Sequence, residues 1–346
     1  MSVWLIANMA PLMFAVLVVF LLVGYPVAFS LAANGLLFGF VGIELGLLTP
    51  ALFQALPWGV ARRLAHAMAW GTWALDKGSR KREAVENLLR AFPQMRANEA
   101  RRTVRRVYYH LADTVLDWLK LARLVGRGGG KDLFEFVGFE KVQEAARGKG
   151  IVFVTGHFGH WEALGIATPL AGYRIWTVGR SFDNELLDRY INRLRSVTGQ
   201  QIVSSHGATR QVFRVLAEGT NVGVLIDQDA RRHGIFVDYF GRPASTTDVA
   251  ARLCLRTGSP AVFFYAERIP GQNRFRVVCT DVIEPLPGEE RQAEVRRITQ
   301  RLTSDLEEVV RRTPEQWLWL HRRWKTWPGK YDGPRRRPAS ARSSAQ

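Results

Sequence analysis

The sequence predicts an α/β protein in which helices flank a central, largely parallel sheet, preceded by an N-terminal transmembrane helical hairpin. Two observations carry this prediction. Short β-rich runs alternate with helical stretches after residue 130, and residues 1–57 contain a single charged side chain, Glu44. The chain therefore divides into a transmembrane hairpin (1–57), a helical membrane-proximal region (58–127), an α/β domain (128–327) and a disordered basic tail (328–346).

The first 57 residues contain two apolar stretches long enough to cross a bilayer. The first runs uncharged from Val3 to Ala28 and the second continues to Leu56, and a spanning helix needs about 20 apolar residues. A signal peptide is disfavoured because no basic region precedes the first stretch. Arg62 and Arg63 follow the second, and Lys and Arg mark the cytoplasmic side. We therefore expect an inner (plasma) membrane protein whose main domain faces the cytoplasm.

The charge of the chain limits its partners without selecting one. Lys and Arg total 48 against 31 Asp and Glu, a net charge of +17. A basic surface attracts nucleic acid, anionic membranes, or acidic carriers and substrates. A basic nucleic-acid-binding protein is one alternative, but the sequence has no helix-turn-helix, zinc-finger or RNP signature, so no nucleic-acid partner is predicted. Cys254 and Cys279 lack metal-ligand spacing and are expected to be buried thiols.

Residues 58–124 have helical periodicity. An apolar stripe recurs mostly at three- and four-residue intervals, and Asn98 is the expected N-cap of its helix. A basic face accompanies this stripe, and it either lies in solvent or contacts phospholipid head groups. The stripe consists of Val104, Val107, Tyr108, Leu111, Val115, Trp118 and Leu121, and the basic face of Arg101, Arg102, Arg105 and Arg106.

The α/β domain is predicted from alternating strand and helix patterns. In such a domain, functional groups collect where strands end and loops begin. The expected strands are 151–155, 174–178, 221–227 and 261–267, and the expected helices lie near 161–171, 184–198, 208–218, 247–257 and 289–313.

The segment IVFVTGHFGHWE places a histidine at the carboxyl end of a strand. His157 follows the strand, and Glu162 falls in the first turn of the next helix, across a tight turn that Gly159 permits. A carboxylate that bonds one imidazole nitrogen raises the basicity of the other, which can then take a proton from a hydroxyl. The pair corresponds to the histidine and carboxylate of a serine-hydrolase triad, but no serine lies beside it. The missing nucleophile is explained if the substrate supplies its own hydroxyl.

Other residues near this segment have less specific interpretations. His157, His160 and Glu162 are of metal-ligand type, but no H-E-x-x-H helix is present, so we predict neither a metal nor another cofactor. Asp227 and Asp229 end an apolar strand and are secondary site candidates, either binding substrate or orienting neighbouring groups. A tryptophan cluster near the C-terminus is consistent with base stacking, a membrane interface or a structural role.

Six blocks in order resemble one family. They are ENLLRAFPQM (86–95), VTGHFGHWE (154–162), VGRSFDNELLDRYINRLR (178–195), VGVLIDQDA (222–230), GIFVDYFGRPASTT (234–247) and PEQWLWLHRRWK (314–325). The sequence from about 58 to 327 thereby resembles the lipid A biosynthesis (lauroyl/myristoyl) acyltransferases of the glycerolipid acyltransferase superfamily. The resemblance implies that superfamily's α/β catalytic fold for residues 128–327.

The resemblance also implies roles for individual residues. His157 would be the general base and Glu162 its partner, so His157→Ala and Glu162→Ala should each abolish activity. Arg180 and Asn184 fall in the block expected to hold the acceptor near its phosphate. The later block at the site rim contains Gly241, Arg242 and Pro243, which count as substrate-binding candidates.

The implied reaction is acyl transfer from a thioester, usually on acyl carrier protein, to a hydroxyl of a lipid A precursor. The acidic carrier would dock on the basic surface. A lysophospholipid or another glycolipid is the alternative acceptor.

The first 57 residues resemble a different family, the large membrane subunit of tripartite (TRAP-type) transporters. The resemblance lies in the run APLMFAVLVVFLLVGYPVAFSLAANGLLFGFVGIELGLL, and no comparable apolar run follows Pro57. A permease needs many more spans, so the hairpin is interpreted either as an anchor in a fusion protein or as a misplaced gene start. A transporter accessory protein is the remaining alternative.

Overall fold

The fold is built on a seven-stranded sheet covered by helices on both faces. The computed structural model describes residues 50–179, 185–204 and 208–330. The helices are α1 (Pro50–Ala55), α2 (Trp58–Leu75), α3 (Ser79–Ala91), α4 (Ala97–Val125), α5 (Phe139–Ala146), α6 (Trp161–Leu170), α7 (Glu185–Arg195), α8 (Ala208–Ala217), α9 (Val249–Thr257) and α10 (Arg291–Arg312). The strands are β1 (Phe134–Val137), β2 (Val152–Thr155), β3 (Ile175–Gly179), β4 (Gln201–Ser204), β5 (Asn221–Leu225), β6 (Ile235–Asp238), β7 (Pro243–Thr246), β8 (Ala261–Arg268) and β9 (Phe275–Ile283).

The strand order confirms the predicted α/β class. The main sheet has the order β1-β9-β8-β2-β5-β3-β4, and β6 and β7 form a separate antiparallel hairpin. Strands β8, β2, β5, β3 and β4 run parallel, whereas β9 is antiparallel to β8 and parallel to β1. The largely parallel sheet therefore carries one reversed pair at its edge.

The central strand β2 shows why both faces of the sheet must be covered. All four of its residues are buried, and successive side chains of a strand point to opposite faces. Val152 and Val154 belong to one core with α3, α8, α9 and α10. Phe153 belongs to the other core with α5, α6 and α7. Helix α4 joins the two, because its N-terminal half packs in the first core and its C-terminal half in the second.

Two local predictions in the helical region are wrong. Helix α4 begins at Ala97 with Arg96 at its N-cap, so Asn98 lies inside the helix. Val115 was expected in the apolar stripe, but it is 55% exposed, while the next residue, Leu116, is buried against Ala61 and Ala65 of α2. The stripe turns around a helix of 29 residues because α2 covers a different side of it. The two cysteines, Cys254 and Cys279, are free and buried as predicted.

The predicted transmembrane hairpin lies mostly outside the described residues, which begin at residue 50. The described part, α1, lies against α4: the Gln54 side chain donates to the Leu119 carbonyl at 3.0 Å, and Lys120 Nζ donates to the Leu56 carbonyl at 2.6 Å. Within residues 50–330, apart from the two short gaps, no helix combines the length and apolarity needed to cross a membrane. The tail from residue 331 also lies outside the description.

Candidate active site

The register of two neighbouring strands brings a histidine and an aspartate together. In the parallel pair β2 and β5, Thr155 is level with Leu225. His157 and Asp227 each follow two residues later, so the two side chains emerge level at the carboxyl edge of the sheet. The Asp227 carboxylate accepts hydrogen bonds from the His157 ring and from the His157 backbone amide. His157 Nδ1 lies 2.8 Å from Asp227 Oδ1, and the amide nitrogen lies 2.7 Å from Oδ2.

This contact fixes the tautomer of the imidazole. An ionised carboxylate only accepts hydrogen bonds, so Nδ1 carries the proton and Nε2 presents its lone pair. Nε2 has no hydrogen-bond partner among the described residues, and the His157 side chain is 18% exposed whereas Asp227 is fully buried. Asp227 therefore orients the ring through Nδ1, and Nε2 is left free to accept a proton.

The electrostatics of the pair favour a basic histidine. Burial lowers the pKa of His157, but the charge and hydrogen bond of Asp227 outweigh it, so the pKa is raised above its ordinary value. Burial acts oppositely on Asp227, yet the facing histidine holds the pKa of that carboxyl well below its usual range. Asp227 thus stays ionised and strengthens His157 as a base at neutral pH.

The loop that carries His157 is held by its backbone. Gly159 donates to the Gln316 carbonyl at 3.0 Å, His160 donates to the Ala266 carbonyl at 2.8 Å, and the His157 carbonyl accepts from the Leu318 amide at 3.1 Å. Gly159 has φ +59°, and a Cβ there would meet the Ala266 oxygen at 2.1 Å. The turn accordingly requires glycine, as the sequence indicated.

Backbone amides at a strand end can donate to a reaction oxyanion, and two of the four amides from Gly156 to Gly159 are already engaged. The amide of His157 is bonded to Asp227, and that of Gly159 to the Gln316 carbonyl. The amides of Gly156 and Phe158 have no acceptor among the described residues. These two remain available for an oxyanion next to the base.

Glu162 does not occupy the place predicted for it beside the imidazole. Its carboxylate accepts two hydrogen bonds from the Arg195 guanidinium, from Nε at 3.0 Å and from Nη2 at 2.6 Å. The expectation that Glu162 orients His157 is therefore wrong in this geometry, because Asp227 already fills that position. Glu162 instead joins the start of α6 to the end of α7, and it raises the pKa of His157 only through its charge.

Comparison with known proteins assigns the chain to a family. Residues 37–326 match the family model described as bacterial lipid A biosynthesis acyltransferase. The chain belongs to this family. It is an acyltransferase, as the six ordered blocks predicted.

Curated relatives of this acyltransferase are similar over most of their length. A lipid A biosynthesis palmitoleoyltransferase of Escherichia coli is 26% identical over 263 residues, covering 72% of this chain and 80% of the relative. A lipid A biosynthesis lauroyltransferase of the same species is 28% identical over 293 residues, covering 80% and 89%. A phosphatidylinositol mannoside acyltransferase of Mycolicibacterium smegmatis is 25% identical over 232 residues, covering 63% and 74%.

The other predicted site residues of the acyltransferase fall in different places. Asp229 accepts from Thr326 Oγ1 at 2.9 Å and so fastens the C-terminal segment. Gly241 and Arg242 lie in the turn between β6 and β7, and Pro243 is the first residue of β7. The Arg242 guanidinium lies 5.3 Å from the Trp324 ring centre. Contact of these residues with an acceptor stays a prediction. Arg180 and Asn184 lie outside the described residues.

His160, a possible metal ligand in the sequence, is a packed residue. It is 3% exposed, and its ring lies edge-on to His110 and Phe275. Among the described residues no group of three or more His, Cys, Asp or Glu side chains is placed to hold a metal ion.

The C-terminal segment supplies residues that the sequence interpretation missed. Trp317 Nε1 donates to Asp227 Oδ2 at 2.9 Å, and His321 Nε2 lies 2.8 Å from the Asp227 carbonyl. A carbonyl only accepts, so His321 carries its proton on Nε2. Burial lowers the pKa of His321 to about 4, and the ring is neutral at physiological pH. At least one tryptophan of the cluster has a structural role, since Trp317 holds the Asp227 carboxylate.

Removing the Glu162 carboxylate tests its positional role. In Glu162→Ala the Arg195 guanidinium loses both hydrogen bonds, and the side-chain contact that joins α7 to α6 is lost. We expect kcat/KM to fall by about 10- to 100-fold, less than for the residues that act on the proton. Because both side chains are only about one-fifth exposed, the guanidinium is left mostly buried without its partner, and the free energy of unfolding should fall by about 2 kcal/mol. Steady-state kinetics and thermal unfolding measure the two effects.

A double-mutant cycle with Arg195→Met separates this role from direct catalysis. If Glu162 acts through Arg195, the double variant should be no slower than either single variant. Multiplicative losses would contradict the positional role and favour direct participation of Glu162.

Proposed function

We propose that this acyltransferase moves a fatty acyl group from an acyl thioester to a hydroxyl of a lipid A precursor. The single observation that carries the chemistry is the His157–Asp227 pair, with its unpartnered Nε2 at the sheet edge. The acceptor class is supported by family membership and by relatives named lipid A lauroyl- and palmitoleoyltransferases.

The proposed reaction uses His157 as a proton shuttle. Nε2 removes the proton of the acceptor hydroxyl as the oxygen attacks the thioester carbonyl, and the carbonyl oxygen becomes an oxyanion. The amides of Gly156 and Phe158, which have no acceptor among the described residues, are the donors that the loop offers to that charge. The C–S bond then breaks, the thiol leaves with the proton from His157, and an ester remains. No serine is needed because the acceptor brings the nucleophile.

Assays with defined substrates test the acceptor and the donor together. The purified full chain is offered a lipid A precursor, a lysophospholipid or a phosphatidylinositol mannoside, each with acyl groups on acyl carrier protein or on coenzyme A. Mass spectrometry should find the added acyl chain on the lipid A precursor, with acyl carrier protein preferred. Transfer only to the mannoside would favour the glycolipid alternative that the mycobacterial relative represents. Absence of transfer to every acceptor would contradict the proposal.

We also propose that the enzyme works at the inner membrane with its catalytic domain in the cytoplasm. Residues 1–57 contain one charge, and the transporter-like run is assigned an anchoring role only. Helix α2, which follows directly, exposes an apolar face: Val60, Leu64, Met68 and Leu75 are 43–56% exposed. Neighbouring Arg63 is exposed and suits anionic head groups.

A spin label tests where this face lies. Met68→Cys can be labelled selectively, since the native Cys254 and Cys279 are buried. In liposomes the label at 68 should become accessible to oxygen and inaccessible to a water-soluble nickel chelate. The control is Val249→Cys on α9, which is 43% exposed, and its accessibility should not change. Equal responses at both positions would contradict the membrane assignment of α2.

A protease protection assay tests which side of the membrane the catalytic domain faces. A protease added to right-side-out vesicles should leave the catalytic domain intact, and its cleavage would contradict the cytoplasmic location.

A further inference from the structure

A basic pocket lies between α3 and the C-terminal segment. Its volume is about 340 Å³, and it is lined by Ser79, Arg82, Glu83, Glu86, Arg90, Arg322 and Lys325. Four cations face two carboxylates, so the lining carries a surplus of two positive charges. The catalytic pair and the loop around Gly159 contribute none of these residues.

The contacts inside the pocket show which of its charged side chains are in ion pairs and which are not. Arg322 Nε donates to Glu83 at 2.8 Å, and Arg90 Nη2 donates to Glu86 at 3.4 Å. These pairs neutralise the two carboxylates. Arg82 and Lys325 are exposed, and their side chains have no partner among the described residues. The positive surplus therefore belongs to Arg82 and Lys325.

The surroundings add more positive charge. Burial lowers the pKa of Arg242, and the nearby charge of Arg90 lowers it further. One terminal nitrogen of Arg242, Nη1, is buried and has no hydrogen-bond partner among the described residues. Arg242 does not line the pocket, but it adds to the positive charge near Arg90. The two unpaired cations of the pocket itself, Arg82 and Lys325, suit an anion with several oxygens, such as a phosphate.

The pocket is joined to the catalytic centre through one short segment. His321 bonds the carbonyl of Asp227, and its ring centre lies 6.3 Å from that of His157. Arg322 is the next residue along the chain and forms one wall of the pocket. Helix α3 contacts the same segment, because Arg80 Nη1 donates to the Leu320 carbonyl at 3.5 Å. Consecutive residues of one segment thus contact the catalytic pair and line the pocket.

We propose that this pocket binds a phosphate group of the acceptor lipid while its hydroxyl lies at His157. The proposal rests on the proposed function and names how that acceptor is held. Phosphate oxygens would accept from Arg82 and Lys325 directly, and Arg322 and Arg90 would keep their ion pairs and shape the walls. The pocket therefore selects phosphorylated over unphosphorylated acceptors, without taking part in the chemical step.

The double variant Arg82→Glu with Lys325→Glu tests the assignment. The expected result is a rise of at least about tenfold in KM for a phosphorylated lipid A precursor, because two attractive charges become repulsive. kcat should stay within about twofold, and KM for the acyl donor should not change, since the chemical step and the thioester do not involve the pocket. With a phosphatase-treated acceptor, wild type and variant should have the same KM.

A matched control makes the same change in net charge elsewhere. Lys141 and Arg147 are more than 70% exposed. They lie at α5, which packs in the other hydrophobic core from the one that contains α3. Lys141→Glu with Arg147→Glu should leave KM for the acceptor unchanged, and thermal unfolding should verify that all variants are folded. A tenfold effect in the control as well would overturn the pocket, because it would indicate a general loss of attraction.

Three further outcomes would overturn the proposal. The first is an unchanged acceptor KM in the double variant while wild type transfers normally. The second is a selective rise in KM for the donor. The third is weaker binding to phosphatidylglycerol vesicles with an unchanged acceptor KM, because the phosphate would then belong to bilayer lipid. Failure of wild type to transfer to any acceptor is a different result, and it contradicts the proposed function itself.

Discussion

Replacing His157 with alanine should lower kcat by about 10⁴-fold, because the variant has no group that can take the proton of the acceptor hydroxyl. The neighbouring groups cannot substitute. The Nε2–H of His321 donates to the Asp227 carbonyl. Burial lowers the pKa of His321 to about 4, which makes it a weak base. Single-turnover assays with the lipid A precursor measure the loss.

Loss of activity is informative only if the variant folds. Without the imidazole, the buried Asp227 carboxylate keeps the His157 amide and Trp317 Nε1 as donors, so the fold should persist with a lower melting temperature. His157→Gln is a second variant in which an amide nitrogen can still donate to Asp227 but no base is present. It should be more stable than His157→Ala and equally inactive.

The matched control for this experiment is His233→Ala. His233 is exposed and lies in the short helical turn before β6. Its replacement should leave transfer unchanged. If His157→Ala or His157→Gln transferred acyl groups at the wild-type rate, the mechanism would be wrong.

How much of the site was predictable depends on whether its contacts are local in sequence. His157 was placed correctly because a strand, a glycine turn and a helix follow one another within a dozen residues. Glu162 was chosen as its partner because it is the nearest carboxylate along the chain. The true partner, Asp227, is 70 residues away, and its proximity depends on β5 lying beside β2. Strand order is a property of the whole sheet, which local patterns do not specify.

The difference between local and long-range information also explains which strands could be predicted. The strands that were predicted, such as β2 and β8, are apolar runs buried on both faces, so their composition alone marks them. Strands β1 and β9 were missed because charged residues interrupt their apolar pattern: Glu135 of β1 pairs with Arg276 of β9. The segment from Trp317 was recognised by family resemblance, but its contacts with Asp227 follow only from tertiary packing.

Asp227→Asn should lower kcat by about 10³-fold while leaving the fold intact. The amide can keep an oxygen where Oδ2 now accepts from the His157 amide and from Trp317 Nε1. Its NH₂ group must then face Nδ1 of His157 and donate to it. The imidazole is forced to carry its proton on Nε2, the nitrogen that should act as the base. A corresponding amide in a serine-hydrolase triad lowers kcat by about 10⁴-fold for this reason.

The pH dependence of Asp227→Asn distinguishes this role from a purely structural one. A base acts when neutral, so wild-type kcat/KM should rise with pH through the raised pKa of His157. Without the Asp227 charge, burial lowers that pKa, and the rising limb should move to lower pH in the residual activity of the variant. Glu162→Gln provides the contrast, because its carboxylate is bonded to Arg195 and should move the limb less. An unmoved limb in Asp227→Asn, or an equal shift in both variants, would show that Asp227 does not set the basicity of His157.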